Sequence, residues 1–356
     1  MMNELGSTEQ IAQIRPEEII FPVDEIVKIQ DQLLTIPSAD TSVWFPIPLM
    51  AEVNYQARID IAEIQITDKY TAALLKYLDQ ALNDFTGFSK QRCNGFTVGL
   101  SGGIDSAVVT KLLNDYCSMR GFELQVLIMG EGDHTQSVDQ YKGTPAEWID
   151  VQYAKLMCKD LNIQYQYLDI SDDLLALQRN YLTSWARAGQ RPRIRANHLY
   201  AMAEEHDTIA VGATNGSEFI LAAFSTGGPA GNIAPIIDLY KSEVYAVARD
   251  IGVPRYIQTR IPLISELNVA DSSFYGGSEI DSTVIDPIIR RLWYQKQSPE
   301  EVALALGHAS RWISDINDKR IIGEACRRGY KSLLINRGFK YSGIEPDLFI
   351  DRSYFP

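Results

Sequence analysis

The chain predicts an α/β fold, a doubly wound parallel sheet with helices on both faces, plus an N-terminal arm and a C-terminal helical segment. Two observations carry this. Short apolar runs rich in Val, Ile, Leu and Phe alternate with helical patterns from residue 67 to residue 251. One such run, residues 95–100, leads into the glycine pair Gly102 and Gly103, directly ahead of a helical stretch. Strand, tight turn and helix in that order open a βαβ unit, whose parallel strands present ligands at their carboxyl ends.

The elements follow in order. Residues 1–16 read as a loose tail. The arm continues to residue 66, with weak periodicity and with Pro22, Pro37, Pro46 and Pro48, a composition that suits short helices and turns. Residues 67–90 read as an amphipathic helix, since Tyr70, Leu74, Leu75, Leu78, Leu82 and Phe85 recur at helical spacing. Strands are expected at 95–100, 124–129, 165–170 and 208–212. Helices are expected at 107–116, 149–161, 195–205 and 240–251, the last stopped by Gly252 and Pro254. Residues 298–340 hold two or three short helices, and 341–356 form an irregular tail. The expected division is therefore an arm (1–66), a sheet domain (67–297) and a helical segment with its tail (298–356).

Composition narrows the function classes. The chain has 356 residues, a net charge of -13 and a pI near 4.9. Such a field repels polyphosphate backbones and argues against general nucleic-acid binding. Cys93, Cys117, Cys158 and Cys326 show no CxxC spacing, and the four histidines show no HExxH spacing, so no zinc site is indicated. No apolar run approaches ~18 residues, which argues against a transmembrane helix. The polar N-terminus lacks an apolar signal-peptide core, and a cytoplasmic location is expected.

The informative stretch is Leu100-Ser101-Gly102-Gly103-Ile104-Asp105-Ser106. Two glycines let backbone N–H groups approach an anion, and the following helix turns its amides and positive dipole end to the same place. Ser101 and Ser106 add hydroxyls. Asp105 would repel phosphate, which points to a Mg²⁺ ligand that neutralises the charge. The plain alternative is a Gly-rich turn with a capping serine. No Walker lysine and no GxGxxG pattern is present, so neither a P-loop NTPase nor a dinucleotide-binding fingerprint fits.

This loop resembles that of the ATP pyrophosphatases, and later motifs resemble the NAD synthetases. Arg193-x-Arg195-x-x-x-Leu199-Tyr200 is similar to their RxRMxxLY helix, and Gly212-Ala213-Thr214-Asn215-Gly216-Ser217-Glu218 to their GTGNKSE segment. Residues 233–244, from Ile233 through Lys241 to Val244, resemble IAPLGDLYKTQV, and residues 249–254 resemble ARYLGVP. Lys319-Arg320 falls where the family has a late Lys-Arg pair. The resemblance covers roughly residues 68 to 325, with its motifs in the family's order.

The resemblance implies ATP as substrate, split to AMP and pyrophosphate. It implies Mg²⁺ held by Asp105 and Glu218, and Lys241 stabilising charge near the reacting phosphate. Ser101, Gly102, Gly103, Ser106, Thr214, Asn215, Arg193 and Arg195 would bind the nucleotide. Without the resemblance, Glu218 reads as a surface glutamate at a helix start and Lys241 as an exposed lysine. Arg187 and Arg191 belong to the same basic run as Arg193 and Arg195, and suit either an anion or solvent.

Departures fall on the acyl side. The family's GDGxxD appears here as Gly227-Gly228-Pro229-Ala230-Gly231-Asn232, without either acid, preceded by Phe224-Ser225-Thr226. Phe274 and Tyr275 lie nearest to where the family has the acids of GQTDE. Residues 1–92 contain no cysteine, so no glutaminase is indicated there. The nitrogen donor would be free ammonia, another amine, or ammonia from a separate glutaminase.

The leading expectation is an AMP-forming amide ligase acting on nicotinate adenine dinucleotide with ammonia. Alternatives are a ligase for a different carboxylate, a non-catalytic nucleotide-binding relative, and a tRNA-modifying ATP pyrophosphatase. The resemblance also implies a homodimer. The apolar residues of the helix at 67–90 and of 43–50 (Val43, Trp44, Phe45, Ile47, Leu49 and Met50) add support for an interface.

Overall fold

A computed structural model describes residues 20–34, 54–66, 68–85, 93–180, 189–221, 231–260, 282–318 and 352. Expectations that concern residues 1–16, 43–50, 222–230, 274–275 and 319–320, and Arg187, lie outside these residues.

The elements are α1 (Val23–Leu34), α2 (Asp68–Asp84), β1 (Gly95–Gly99), α3 (Ile104–Arg120), β2 (Glu123–Gly130), α4 (Pro145–Asp160), β3 (Gln166–Asp169) and α5 (Ser171–Gln178). They continue with α6 (Gln190–Glu205), β4 (Ile209–Val211), α7 (Gly216–Leu221), α8 (Lys241–Asp250), α9 (Arg255–Gln258), α10 (Ser282–Trp293) and α11 (Pro299–Leu306). Residues 310–318 are helical. No helix among the described residues is long and apolar enough to cross a membrane.

The sheet is parallel, in the order β3-β2-β1-β4. Phe96 of β1 pairs with Leu124 and Ile209, and Val98 with Val126 and Val211. Phe96, Thr97 and Val98 are all fully buried, as expected of a central strand covered on both faces. The chain runs outward from β1 through β2 to β3, then returns to place β4 on the other side of β1. The switch point therefore lies between β1 and β4, where a parallel sheet opens a crevice.

The predicted strands are all present, and helix ends moved for local reasons. The helix expected from 149 begins at Pro145, because Thr144 accepts a hydrogen bond from Glu147 N–H and proline suits the first turn. The helix expected at 107–116 runs from Ile104 to Arg120 and stops at Gly121, whose φ of 73° is left-handed.

Helix α10 was not among the expected elements, and it carries Pro287 in its interior. The proline removes one N–H, and its would-be acceptor, Thr283 C=O, instead accepts from Ile59 N–H at 2.9 Å. The same pairing ties residues 54–66 to the C-terminal helices. Asn54 Nδ2 donates to Leu306 O at 2.8 Å, and Ile59 and Ile64 pack against Ala246 of α8.

Two larger cores result. One surrounds the sheet and takes in Tyr70, Leu74, Leu78 and Leu82 of α2. The other joins Val284, Ile285, Ile288 and Ile289 of α10 to Ile220, Leu221 and Tyr240. The second core therefore connects the C-terminal helices to the end of α7 and the start of α8.

Candidate active site

The loop after β1 is held from both sides. Gly102 has φ of 82°, a conformation that strains any residue with a Cβ. A Cβ there would lie 2.1 Å from Asp150 O of α4. A side chain at this position would therefore collide with the α4 backbone. We expect Gly102→Val to lower the melting temperature as well as ATP binding. A variant with an unchanged thermal melt would contradict this contact.

Arg260 reinforces the loop. It donates to Gly102 O at 2.8 Å and ion-pairs with Asp150, with its own side chain 8% exposed. Ser106 Oγ accepts from Ser101 N–H at 3.1 Å and donates to Gly103 O at 3.1 Å. The Ser106 hydroxyl is thus turned into the loop, whereas Ser101 is exposed.

The charged groups come from three segments. Asp105 stands on the first turn of α3, Glu218 on the first turn of α7, and Lys241 opens α8. Both carboxylates sit on helix first turns just beyond β1 and β4, Glu218 at a helix start as its sequence context suggests. There the helix amides offset their charge.

Lys241 Nζ ion-pairs with Asp105 and lies 3.9 Å from Glu218 Oε1. Asn215 is fully buried, and its Nδ2 donates to Asp105 Oδ1 at 3.0 Å. Asn215 and Glu218 also close a reciprocal cap: Glu218 N–H donates to Asn215 Oδ1 at 2.9 Å, and Asn215 N–H donates to Glu218 Oε2 at 3.3 Å. Burial opposes the charge on Lys241, but the carboxylates of Asp105 and Glu218 prevail and hold its pKa above the ordinary lysine value.

A cavity of about 230 Å³ opens beside this cluster, at the carboxyl ends of β1, β2 and β4. Leu100, Leu127, Met129, Leu199 and Val211 make its walls largely apolar. Ser101 and Gly212 line it where the loop and the post-β4 segment pass toward Asp105 and Asn215. Arg195 lines the cavity too, paired with Glu147, whose pKa burial pushes up to about 7 against the pull of Arg195. Arg193 is not among the lining residues and lies against Gly189. Arg191 pairs with Glu131. Thr214 is buried next to Asn215.

Asn232, which stands where the family has an acid, faces the sheet. Its Oδ1 accepts from Ala210 N–H at 3.1 Å. Gly231, at φ of 98°, packs so closely that a Cβ would lie 2.3 Å from Gly212 N. These contacts shape the post-β4 segment rather than display a carboxylate.

Asp238 supplies a pH test. Its Oδ2 is buried without a hydrogen bond among the described residues, and burial pushes its pKa up to about 7, with Arg352 opposing and Glu243 adding. The unfolded carboxyl titrates near 4. Between about pH 4 and pH 7 the folded chain keeps a proton that the unfolded chain has lost, so stability falls as pH rises through that window. Asp238→Asn should therefore gain in melting temperature relative to wild type as pH rises from about 4 to about 7. A difference that stays flat with pH would contradict this.

A nucleotide-binding α/β enzyme is the class that this fold and this cluster define: a Gly-rich loop at the switch point, carboxylates and a lysine beside it, and an apolar cavity adjoining. The comparisons with known proteins are specific. The NAD synthase family model matches residues 70–324. The NH₃-dependent NAD⁺ synthetase of Pyrococcus horikoshii is 32% identical over 219 residues, covering 60% of this chain and 78% of that protein. The same enzyme of Thermococcus sibiricus is 30% identical over 218 residues, again covering 60% and 78%.

Among solved structures, the NH₃-dependent NAD synthetase of Campylobacter jejuni aligns with a TM-score of 0.52 at 21% identity. The alignment covers 72% of this chain and 95% of that one, and bears on the fold alone. The chain belongs to the NAD synthase family, and it is an ATP-dependent carbon–nitrogen ligase of the amide-forming kind.

Proposed function

We propose that the chain joins ammonia to a carboxylate through an acyl-adenylate. The carboxylate oxygen attacks the α-phosphorus of ATP and pyrophosphate leaves. Ammonia then attacks the acyl carbon, AMP leaves, and the nitrogen loses a proton to give the amide. The observation that carries this reading is the convergence of Asp105, Asn215, Glu218 and Lys241 beside the Gly102–Gly103 loop.

Each part has a role. The loop amides around Ser101, Gly102 and Gly103, with the α3 N-terminus, receive phosphate oxygens, and Ser106 keeps the loop closed. Lys241 offsets negative charge as pyrophosphate departs. In this reading Thr214 and Asn215 serve the nucleotide's phosphates, and the apolar cavity with Arg195 takes the base.

The donor set suits Mg²⁺. Asp105 and Glu218 both reach one ammonium group, so they converge on a common point. No group of three metal-ligating side chains occurs among the described residues. Mg²⁺ is content with one or two carboxylates when phosphate and water complete its shell. Asp105 and Glu218 would hold it, and it would supply positive charge against the phosphates.

Nicotinate adenine dinucleotide is the acid we propose, following the NAD synthetases that the chain resembles. The second reading, a different carboxylate, is favoured by Asn232, which offers a sheet contact in place of the family's acid. A carboxylate screen read by AMP release separates them. AMP formed with nicotinate adenine dinucleotide, ammonia and Mg-ATP supports the first. AMP formed only with other acids establishes the second. We further propose a symmetric dimer, which light scattering at micromolar concentration tests; a monomeric mass would rule it out.

A further inference from the structure

We infer that Asp286 is a positioning residue for this chemistry, a buried carboxylate that locks the segment carrying Glu218 to the helix carrying Lys241. The inference rests on the reading of Lys241 as a catalytic group. Asp286 lies on α10, far along the chain from the phosphate loop, and is fully buried.

Its two oxygens serve two helices. Oδ1 accepts from Ser217 Oγ at 2.6 Å, one residue before Glu218. Oδ2 accepts from Ser242 N–H at 2.8 Å and from Ser242 Oγ at 2.7 Å, one residue after Lys241. Ser217 Oγ also accepts from Lys241 N–H at 2.9 Å, which closes the link. The first-turn amides of α8 are thereby tied to α7 through the side chains of Ser217 and Asp286.

The residue type fits this task. Capping α8 alone would need only a neutral acceptor. A carboxylate has two acceptor oxygens and can hold both helices at once, whereas an asparagine has one. The burial of this charge is costly, and the three donors offset it. The packing of Ile285 and Ile288 in one core with Ile220, Leu221 and Tyr240 fixes α10 against both helices. Small displacements of Lys241 relative to Glu218 would then be felt as rate rather than as affinity.

The test is steady-state pyrophosphate release by the full chain with Mg-ATP and the acid substrate. Asp286→Asn is expected to lower kcat by at least about tenfold while KM for ATP moves by less than about threefold. Lys241→Arg keeps the charge and a measurable rate, so it permits a double-mutant cycle. Adding Asp286→Asn to Lys241→Arg should cost less than about threefold more, because one residue acts through the other. Full multiplication of the two losses, or a loss confined to KM, would overturn the inference.

If Asp286→Asn does not fold, Ser217→Ala tests the same link, since it leaves Asp286 with both Ser242 donors. It should show the same kcat-selective loss, and a fully active Ser217→Ala would also overturn the inference. A fully active Lys241→Ala would remove the lysine's role and this inference with it. An inactive Lys241→Ala beside a folded, fully active Asp286→Asn would remove this inference alone.

Discussion

Lys241→Ala is expected to slow pyrophosphate release by about 10²–10³-fold, or ~3–4 kcal/mol of transition-state stabilisation. The lysine is held where negative charge would develop, between Asp105 and Glu218 and with limited solvent access. In such a site a fixed cation is worth more than in water. Its removal also leaves two carboxylates facing each other without their common partner. Asp105→Ala should be at least as damaging, because it takes away the ion-pair partner of Lys241, the acceptor of Asn215 and one of the two carboxylates proposed to hold Mg²⁺. Single-turnover kinetics on variants with normal circular dichroism provide the check. A rate within about threefold of wild type would remove either residue from the site.

The second large effect concerns stability. Arg352 donates to Glu243 Oε1 at 2.6 Å and Oε2 at 2.9 Å, to Asp238 O at 3.1 Å, and lies over the Tyr240 ring at 4.9 Å. Glu243 is fully buried, and its Oε2 also accepts from Tyr240 N–H at the start of α8. Breaking a buried pair of this kind costs about 3–5 kcal/mol, because it strands the remaining charge. Arg352→Ala should therefore lower the melting temperature by about 4–7 °C. Replacing both partners with glutamine should recover much of that loss. A single variant that melts within about 1 °C of wild type would show that the pair contributes little. Since α8 begins with Lys241, the same variant is also expected to lose activity.

The parts of the fold visible in the sequence were those set by local pattern. The strands were legible because β1, β2 and β4 fall in short apolar stretches, with Phe96 and Val98, Val126 to Ile128, and Ile209 to Val211, each set between helical patterns. The loop was legible because its two glycines stand between a strand and a helix. Glu218 and Lys241 looked like ordinary surface residues by themselves; only the resemblance marked them, and the folded chain brings both to Asp105.

What stayed hidden depends on distant packing. Arg260 meets Gly102 across 158 positions, and Asp286 meets Ser217 across 69. Neither residue carries a local signal of its partner. Helix α10 contains Pro287, and the N–H that the proline lacks is replaced by Ile59 N–H as the donor to Thr283 O, a distant contact that no local pattern reveals. Arg352 sat in a stretch that reads as an irregular tail, yet it is the counter-ion of a buried glutamate. Arg193 and Arg195 were read together from one motif. Two helical positions apart, they face different surroundings, and only Arg195 lines the cavity.

In the proposed reaction a carboxylate oxygen attacks ATP at its α-phosphorus, and the fate of that oxygen can be followed by isotope transfer. The acid substrate is labelled with heavy oxygen in its carboxylate and incubated with ammonia, Mg-ATP and the full chain, and the products are weighed by mass spectrometry. The expected result is AMP carrying one labelled oxygen, with unlabelled pyrophosphate, because the carboxylate oxygen stays with AMP when ammonia displaces it. Label in inorganic phosphate together with ADP, or AMP without label, would contradict it.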